Sequence, residues 1–431
     1  MPTPWSQCLD CAALSDVGMR RVNNEDSFAV ALASSQEDWN KKGHLFLVAD
    51  GMGFHAAGEL ASKLAADNVP LSYQKYAQLP PTEALLKAVQ DANELIRRRG
   101  EASDEFRGMG TTCTTMVLIP AGVLVAHIGD SRCYRLRGAV FEQLTFDHSM
   151  VWEMWAAGSM TPEQVQQFVP KNIITRAMGR DWNVQVDLEG PLPVQIGDTY
   201  LLCTDGLSGQ LSDKEMGALL ACLPPQKAAR LLVDLGNLRG GPDNITLIVA
   251  RVLGPQVPCG AAADSPPPLV ERAAARPIHP LAWTGLGLFA SLTLAMSLAE
   301  YWAAAVVGLV GTAIAALVVI WQRNRAAQKP TAAAPSGPLG RGPYVRCDAA
   351  ADRELVERLA ATVQELRDAA AQGEWVVDWA NFNNFQGRAT AALGRGEMVP
   401  AVCEYSEAIC FMMDQLRQQN NRKPGQDHVI G

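Results

Sequence analysis

The sequence predicts an α+β fold for its first 254 residues, then a charge-free helical hairpin, then a small all-α unit. Three observations carry that division. Short apolar runs end repeatedly in an acid beside a glycine, at His44–Gly53, Val123–Asp130 and Leu201–Gly206, and helical stretches lie between them. Leu281–Ala299 and Tyr301–Trp321 are almost devoid of charge. From Asp352 onward, Leu355, Leu359, Val363 and Leu366 recur at heptad-like spacing.

A chain of 431 residues is too long for one ordinary domain. Its formal charge of -8 and the lack of a long basic run argue against nucleic acid as a partner. The ten cysteines are scattered, and many sit inside apolar runs, as expected of reduced, buried thiols in the cytosol. Cys8-Leu9-Asp10-Cys11 has no second pair near it, so it does not read as a zinc site. No signal-peptide pattern opens the chain, which places the first folded unit in the cytoplasm.

The segment from Ser15 to Val30 is dense in charge and then turns apolar, with Arg21 four residues before the acids Glu25 and Asp26. Leu45–Ala49 is the first buried strand, and it ends at Asp50 in an Asp-Gly-Met-Gly turn. One Asp-Gly pair is an ordinary turn signal. Helical spacing follows from His55 to Val69, and a second helix is bounded by Thr82 and Arg99, with Pro81 before it and Gly100 after it. Cys113–Ile119, the turn Pro120-Ala121-Gly122 and Val123–Ile128 form a β-hairpin. Its return strand delivers Asp130 beside Gly129. Leu201–Cys203 leads to Asp205 and Gly206, and Asp243 stands just before the strand Ile245–Val252. Acids at four strand ends, far apart in sequence, suit a hard cation such as magnesium or manganese, which takes carboxylate, carbonyl and water oxygens. No His/Cys set at zinc spacing competes.

Seven separated motifs now stand in order: Arg-x-Asn-Asn-Glu-Asp-Ser from Arg21, Ala-Asp-Gly-Met-Gly from Ala49, Gly-Met-Gly-Thr-Thr from Gly108, Gly-Asp-Ser-Arg from Gly129, Leu-Thr-Phe-Asp-His-Ser from Leu144, Thr-Asp-Gly-Leu-Ser from Thr204 and Asp-Asn-Ile-Thr from Asp243. From about Ser15 to Val252 the chain resembles the bacterial form of the metal-dependent protein phosphatase 2C family. That resemblance implies a four-layer fold, a β-sandwich flanked by helices on both faces, with metals at one end. It implies two Mn2+ or Mg2+ ions bridged by Asp50, the first also taking the Gly51 carbonyl and the second held by Asp205 and Asp243. Glu25 and Asp26 would orient water, Arg21 would pair with the substrate phosphate, and Asp130 would serve a third, weaker ion. A hydroxide between the two ions would attack phosphorus in line, with no phosphoenzyme.

Some positions depart from the family pattern. Phe54 stands where bacterial relatives carry a second glycine before His55, and a Phe does not readily take positive φ. Met52 occupies the place of a His that eukaryotic members propose as general acid, as it does in bacterial relatives. Gly209 replaces an acid that some members supply to the third ion. The stretch from Ser149 to Arg180 corresponds to the family's flap beside the active site.

Residues 255–280 read as a Pro-rich linker and 281–322 as a transmembrane hairpin, with Glu300 at its outer turn. Arg272, Arg276, Arg323 and Arg325 on its flanks place both ends in the cytoplasm, which predicts a multi-pass protein of the inner membrane. A second linker, 323–343, precedes the helical unit, 344–431. There Phe385, Ala389, Ala392, Gly396, Ala401, Tyr405 and Ala408 match one tetratricopeptide-like repeat, an expected protein-binding module, with an unrelated three-helix bundle as the alternative. The resulting expectation is a membrane-tethered phosphatase acting on phosphoserine and phosphothreonine proteins and opposing a serine/threonine kinase. The rival is a catalytically weak scaffold that binds phosphoproteins.

Overall fold

The computed structural model describes residues 8–53, 56–156, 173–254, 291, 339–373 and 375–421. The Phe54 turn, the middle of the flap (157–172), the Pro-rich linker and all but one residue of the hairpin lie outside them. Among the described residues no helix is long and apolar enough to cross a membrane. The inner-membrane, multi-pass placement and the membrane as a partner are therefore corrected. The described helices are short or carry a charged face, so their apolar stripes are satisfied inside the protein.

Met1–Ala262 and Pro338–Gly431 form one compact unit, and Ala263–Gly337 is a second. The first unit holds two six-stranded sheets. One runs in the order β1 (Leu9–Asp16), β11 (Ile245–Val252), β10 (Thr199–Cys203), β7 (Arg132–Arg137), β8 (Val140–Gln143) and β12 (Val345–Asp348). The other runs β2 (Asp26–Ala31), β3 (His44–Met52), β5 (Cys113–Ile119), β6 (Gly122–Ile128) and β9 (Asp187–Leu192), with the short β4 (Gly110–Thr111) on the end of β3.

Apolar runs without polar alternation become strands here because both faces of each sheet are covered. In β3, Phe46 and Val48 point into the core between the sheets, while Leu45, Leu47 and Ala49 face a helical layer. In β11, Ile248, Ala250 and Val252 point inward, while Ile245, Leu247 and Val249 face helices on the opposite side. Helices α1 (Gln36–Lys42), α2 (Ala57–Lys75) and α3 (Pro81–Glu101) precede the β5–β6 hairpin. The last two cover this sheet, α2 over β2 and β3 and α3 beside it over β6, with Ala61, Ala65, Ala88 and Ala92 letting them approach closely. Helix α2 was expected to end at Val69. It continues past Pro70 for another turn because Tyr73 is buried in the same layer.

Helices α4 (Met150–Ala156), α5 (Asp205–Ser208), α6 (Asp213–Cys222) and α7 (Pro225–Leu238) follow, with α6 and α7 covering the other sheet. The α/β/β/α layering is thus present, and a further layer lies beyond α6 and α7. It is built from α8 (Arg353–Gln372), α9 (Trp379–Gly394) and α10 (Met398–Asn421). Leu355, Leu359, Val363 and Leu366 of α8 are buried, as their spacing predicts, and Asp352 caps the helix by accepting from the Leu355 amide. Ala389, Ala392, Ala401 and Ala408 are buried in the packing of these helices. Ionic pairs stitch this layer to the sandwich: Lys214 with Asp352, Lys227 with Glu407, and Arg230 with Asp414. Asp234, fully buried on α7, is met by both Arg230 and Arg417.

The expectation of an all-α end unit needs correction. Val345–Asp348 is a strand that pairs antiparallel with β8, from Val345 opposite Gln143 to Asp348 opposite Val140. Four residues of mixed polarity give no strand signal by themselves. The open edge of β8 supplies the partner.

His44, at the start of β3, accepts a hydrogen bond on Nδ1 from the Ala33 amide at 2.9 Å. Burial pushes its imidazole from 6.5 down to about 4. The unfolded chain takes up this proton first, so the residue's contribution is complete above 6.5 and is lost as pH falls toward 4. His44→Gln is expected to remove that part of the acid sensitivity, on the order of 3 kcal/mol, in urea melts across this range. An unchanged slope would contradict it.

Candidate active site

The strand register brings the first acids together. Asp26 on β2 stands directly opposite Asp50 on β3. Asp50 was expected at the tip of its strand, but β3 continues through Met52 because Gly51 and Met52 pair with Thr111 and Gly110. Two threonines then hold its peptide group. Thr112 Oγ1 accepts from the Asp50 amide at 2.8 Å, and the Asp50 carbonyl takes Thr112 N and Thr111 Oγ1, each at 2.9 Å. With the backbone satisfied, only the carboxylate is left to do chemistry. Gly51 has to be glycine, since a Cβ there would collide with the carbonyl oxygens of Gly58 and Glu25. Its amide donates to the Glu25 carbonyl at 3.0 Å.

The second group of acids comes from the other sheet. Asp205 opens α5 just after β10, and Thr204 before it donates from Oγ1 to Asp26 Oδ2 at 2.8 Å. Asp243 lies just before β11, its Oδ1 accepting from the Asn244 amide at 2.9 Å. Asn244 ties the charged N-terminal loop to this strand. Its Nδ2 donates to the Val17 and Asn23 carbonyls, and its Oδ1 accepts from the Glu25 amide at 2.9 Å. Arg21 Nη2 reaches Asp243 Oδ2 at 2.8 Å, and Glu25 stands 3.8 Å from its other guanidinium nitrogen. Asp130 follows β6.

Sequence, sheet register and loop closure therefore converge these residues on one end of the sandwich. Arg21, Asp130, Arg132, Trp152, Asp205 and Asp243 line a cleft of about 610 Å³. The convergence shapes the electrostatics. Burial raises the Asp50 carboxyl well above the usual range, and the charges of Asp26, Asp205, Asp130 and Asp243 raise it further. Burial, with repulsion from Asp205 and Asp243, brings Asp26 to about 7. Burial, with repulsion from Asp205 and Asp147, brings Asp130 to about 8. Asp205 is raised by burial and by Asp243.

Such a cluster suits a cation. Among the described residues, Oδ1 of Asp130 and Oδ1 of Asp205 are buried without a hydrogen-bond partner, leaving two acceptor sites. Among the described residues no three His, Cys, Asp or Glu groups close into a cage that could hold an ion alone. A small hard divalent ion keeps several waters and takes only a few carboxylates.

Several supporting residues carried no role in the sequence reading, although all lie inside its motifs. Thr112, Thr204 and Asn244 position the acids. Arg132 grips Asp147 with Nε and Nη2, at 2.9 and 2.7 Å to Oδ2, and donates from Nη1 to the Tyr134 hydroxyl at 3.0 Å. Asp147 is almost fully buried. Arg132→Met strands that charge and is expected to cost about 3–5 kcal/mol in urea denaturation. A loss below about 1 kcal/mol would mean that Asp147 finds other partners.

Residues 20–231 match the protein phosphatase 2C family. Protein phosphatase PhpP of Streptococcus pneumoniae is 34% identical over 249 residues, which is 57% of this chain and 98% of that protein. Serine/threonine phosphatase stp of Listeria monocytogenes is 34% identical over 242 residues, 55% of this chain and 93% of that one. The crystal structure of the Mycobacterium tuberculosis serine/threonine phosphatase PstP/Ppp shares 35% identity over 57% of this chain and all of that chain, with a TM-score of 0.49. The catalytic domain of PstP in complex with two manganese ions superposes with a TM-score of 0.48 at 35% identity, over 57% of this chain and 99% of that one. With residues of five of its motifs lining one cleft and relatives of 34% identity matched over nearly their whole length, the chain belongs to the protein phosphatase 2C family.

Proposed function

We propose that this protein hydrolyses phosphoserine and phosphothreonine in proteins with two bound divalent ions, manganese or magnesium. The observation that carries the reading is the set of mutually repelling, buried carboxylates around Asp50, with the unpartnered oxygens of Asp130 and Asp205 beside it. The ions supply Lewis acidity, which makes water a nucleophile near neutral pH and offsets charge on the phosphoryl oxygens.

The chain's own residues do the rest. Asp50, the Gly51 carbonyl, Asp205 and Asp243 would hold the two ions, and Asp130 would serve a third, weaker one. Glu25 and Asp26 would accept hydrogen bonds from water and so orient it. Arg21, which pairs with Asp243 at the cleft, would receive the substrate phosphate. The substrates are products of a serine/threonine kinase, which the enzyme opposes.

Phosphate release from a phosphothreonine peptide by the purified full chain tests this. Release is expected with manganese and should stop with chelator. A chain that binds no manganese in calorimetry and releases no phosphate would instead be a scaffold.

A further inference from the structure

We propose that Tyr344, far outside the phosphatase motifs, positions the wall of the active-site cleft by way of Phe146 and Trp152. The proposal rests on the phosphatase reading above. Tyr344 belongs to the segment that returns to the sandwich at Leu339, and that segment is fixed to both sheets at once. Leu339 exchanges two backbone hydrogen bonds with Gly190 of β9, at 2.6 and 3.0 Å. Glu189, nearly fully buried beside it, accepts from the Gly342 amide at 3.0 Å and from the Tyr344 hydroxyl at 2.5 Å. The Tyr344 amide donates to the Gln143 carbonyl at 2.9 Å, and β12 then pairs with β8. Backbone and hydroxyl contacts thus leave the ring with one orientation.

That ring meets the active site through one intermediary. Tyr344 and Phe146 stand edge to face with centroids 5.5 Å apart, and Phe146 meets Trp152 at 5.2 Å with an interplanar angle of 89°. Trp152 lines the catalytic cleft and lies under the Arg132 guanidinium at 5.7 Å. Phe146 itself belongs to the loop that holds Asp147, and its carbonyl accepts from His127 Nε2 at 2.9 Å. The three rings are all only partly buried, so each depends on its neighbours for its position. Nothing here touches the reacting phosphate. The wall they set is where the peptide on either side of a phosphorylated residue must lie, so Tyr344 acts on binding of protein substrates.

The test compares two substrates on the full chain: a phosphothreonine peptide and p-nitrophenyl phosphate, which is too small to reach the wall. Removing the ring contact in Tyr344→Ala is expected to raise KM for the peptide by about three- to tenfold, with kcat little changed. Turnover of p-nitrophenyl phosphate should stay as in the unmodified protein. Tyr344→Phe keeps the ring and loses only the bond to Glu189, so it should restore the peptide KM. If Tyr344→Ala does not fold, Tyr344→Leu keeps the backbone pairing and takes its place. A variant that lowers both substrates alike, that changes neither, or whose defect Phe does not rescue overturns the positioning role. An unmodified protein that turns over neither substrate overturns the phosphatase reading instead.

Discussion

Asp50→Asn and Asp205→Asn are each expected to abolish manganese-dependent phosphate release while leaving the protein folded. Weakening even a supporting contact to a metal ligand commonly costs ten- to a hundredfold, so replacing a ligand should cost roughly a hundredfold or more. Asparagine keeps the size of the carboxylate, and the Asp50 peptide group stays tied to Thr111 and Thr112. The fold is even expected to gain stability without ions, since one of several repelling acids is gone. Unchanged turnover in either variant would sink the metal assignment.

The same repulsion has a pH signature. With no ions bound, Asp26 at about 7 and Asp130 at about 8 keep their protons in the folded state, while unfolded carboxylates ionise near about 4. At these two positions the folded chain then holds more protons, so their contribution to stability is complete below about 4 and is lost as pH rises toward 8, opposite in sign to that of His44. Manganese competes with those protons and should reverse the trend. Melting temperatures with chelator should therefore fall across this range, and the rise on adding manganese should grow with pH. A manganese effect independent of pH would contradict the link.

A chain ended after Leu253 is expected to be markedly less stable than the full chain. Relatives of that length are whole proteins, but here α6 and α7 carry a further helical layer, and their outer surface is adapted to it. Removing the layer strips β12 from the edge of β8 and takes Arg417 from the fully buried Asp234. It also uncovers apolar residues that share one core with Val402, Ile409 and Met412. Uncovering a few such side chains costs about 1.5–3 kcal/mol each, and the stranded acid adds to that. For a domain of this size a loss of about 3 kcal/mol lowers the melting temperature by roughly 6–12 °C. Equal melting temperatures for the two lengths would show that the layer is only loosely held.

Much of the site was legible because its chemistry lies in short motifs. Asp50, Asp130, Asp205 and Asp243 each follow or precede an apolar run, and a run buried on both faces announces a strand without any long-range information. The glycines beside them mark where backbone must pass close to backbone, as at Gly51. The helical heptad from Leu355 was legible for the same local reason. Hydropathy alone suggested a membrane location from the charge-free stretches, whereas among the described residues no helix is long and apolar enough to cross a membrane.

By itself, then, the sequence determined the strands with long apolar runs, such as Cys113–Ile119 and Ile245–Val252, the helices with regular apolar spacing and the candidate acids, all of which depend on patterns a few residues long. Tertiary structure decided what those elements meet. The pairing of Asp26 with Asp50 follows from the β2–β3 register, and the length of β3 from the arrival of Gly110 and Thr111. Val345–Asp348 became a strand because β8 had an open edge, and Tyr344 reached Phe146 because that pairing holds it there. Hydrogen bonds between distant segments depend on where both partners end up, and that information is spread over the whole chain.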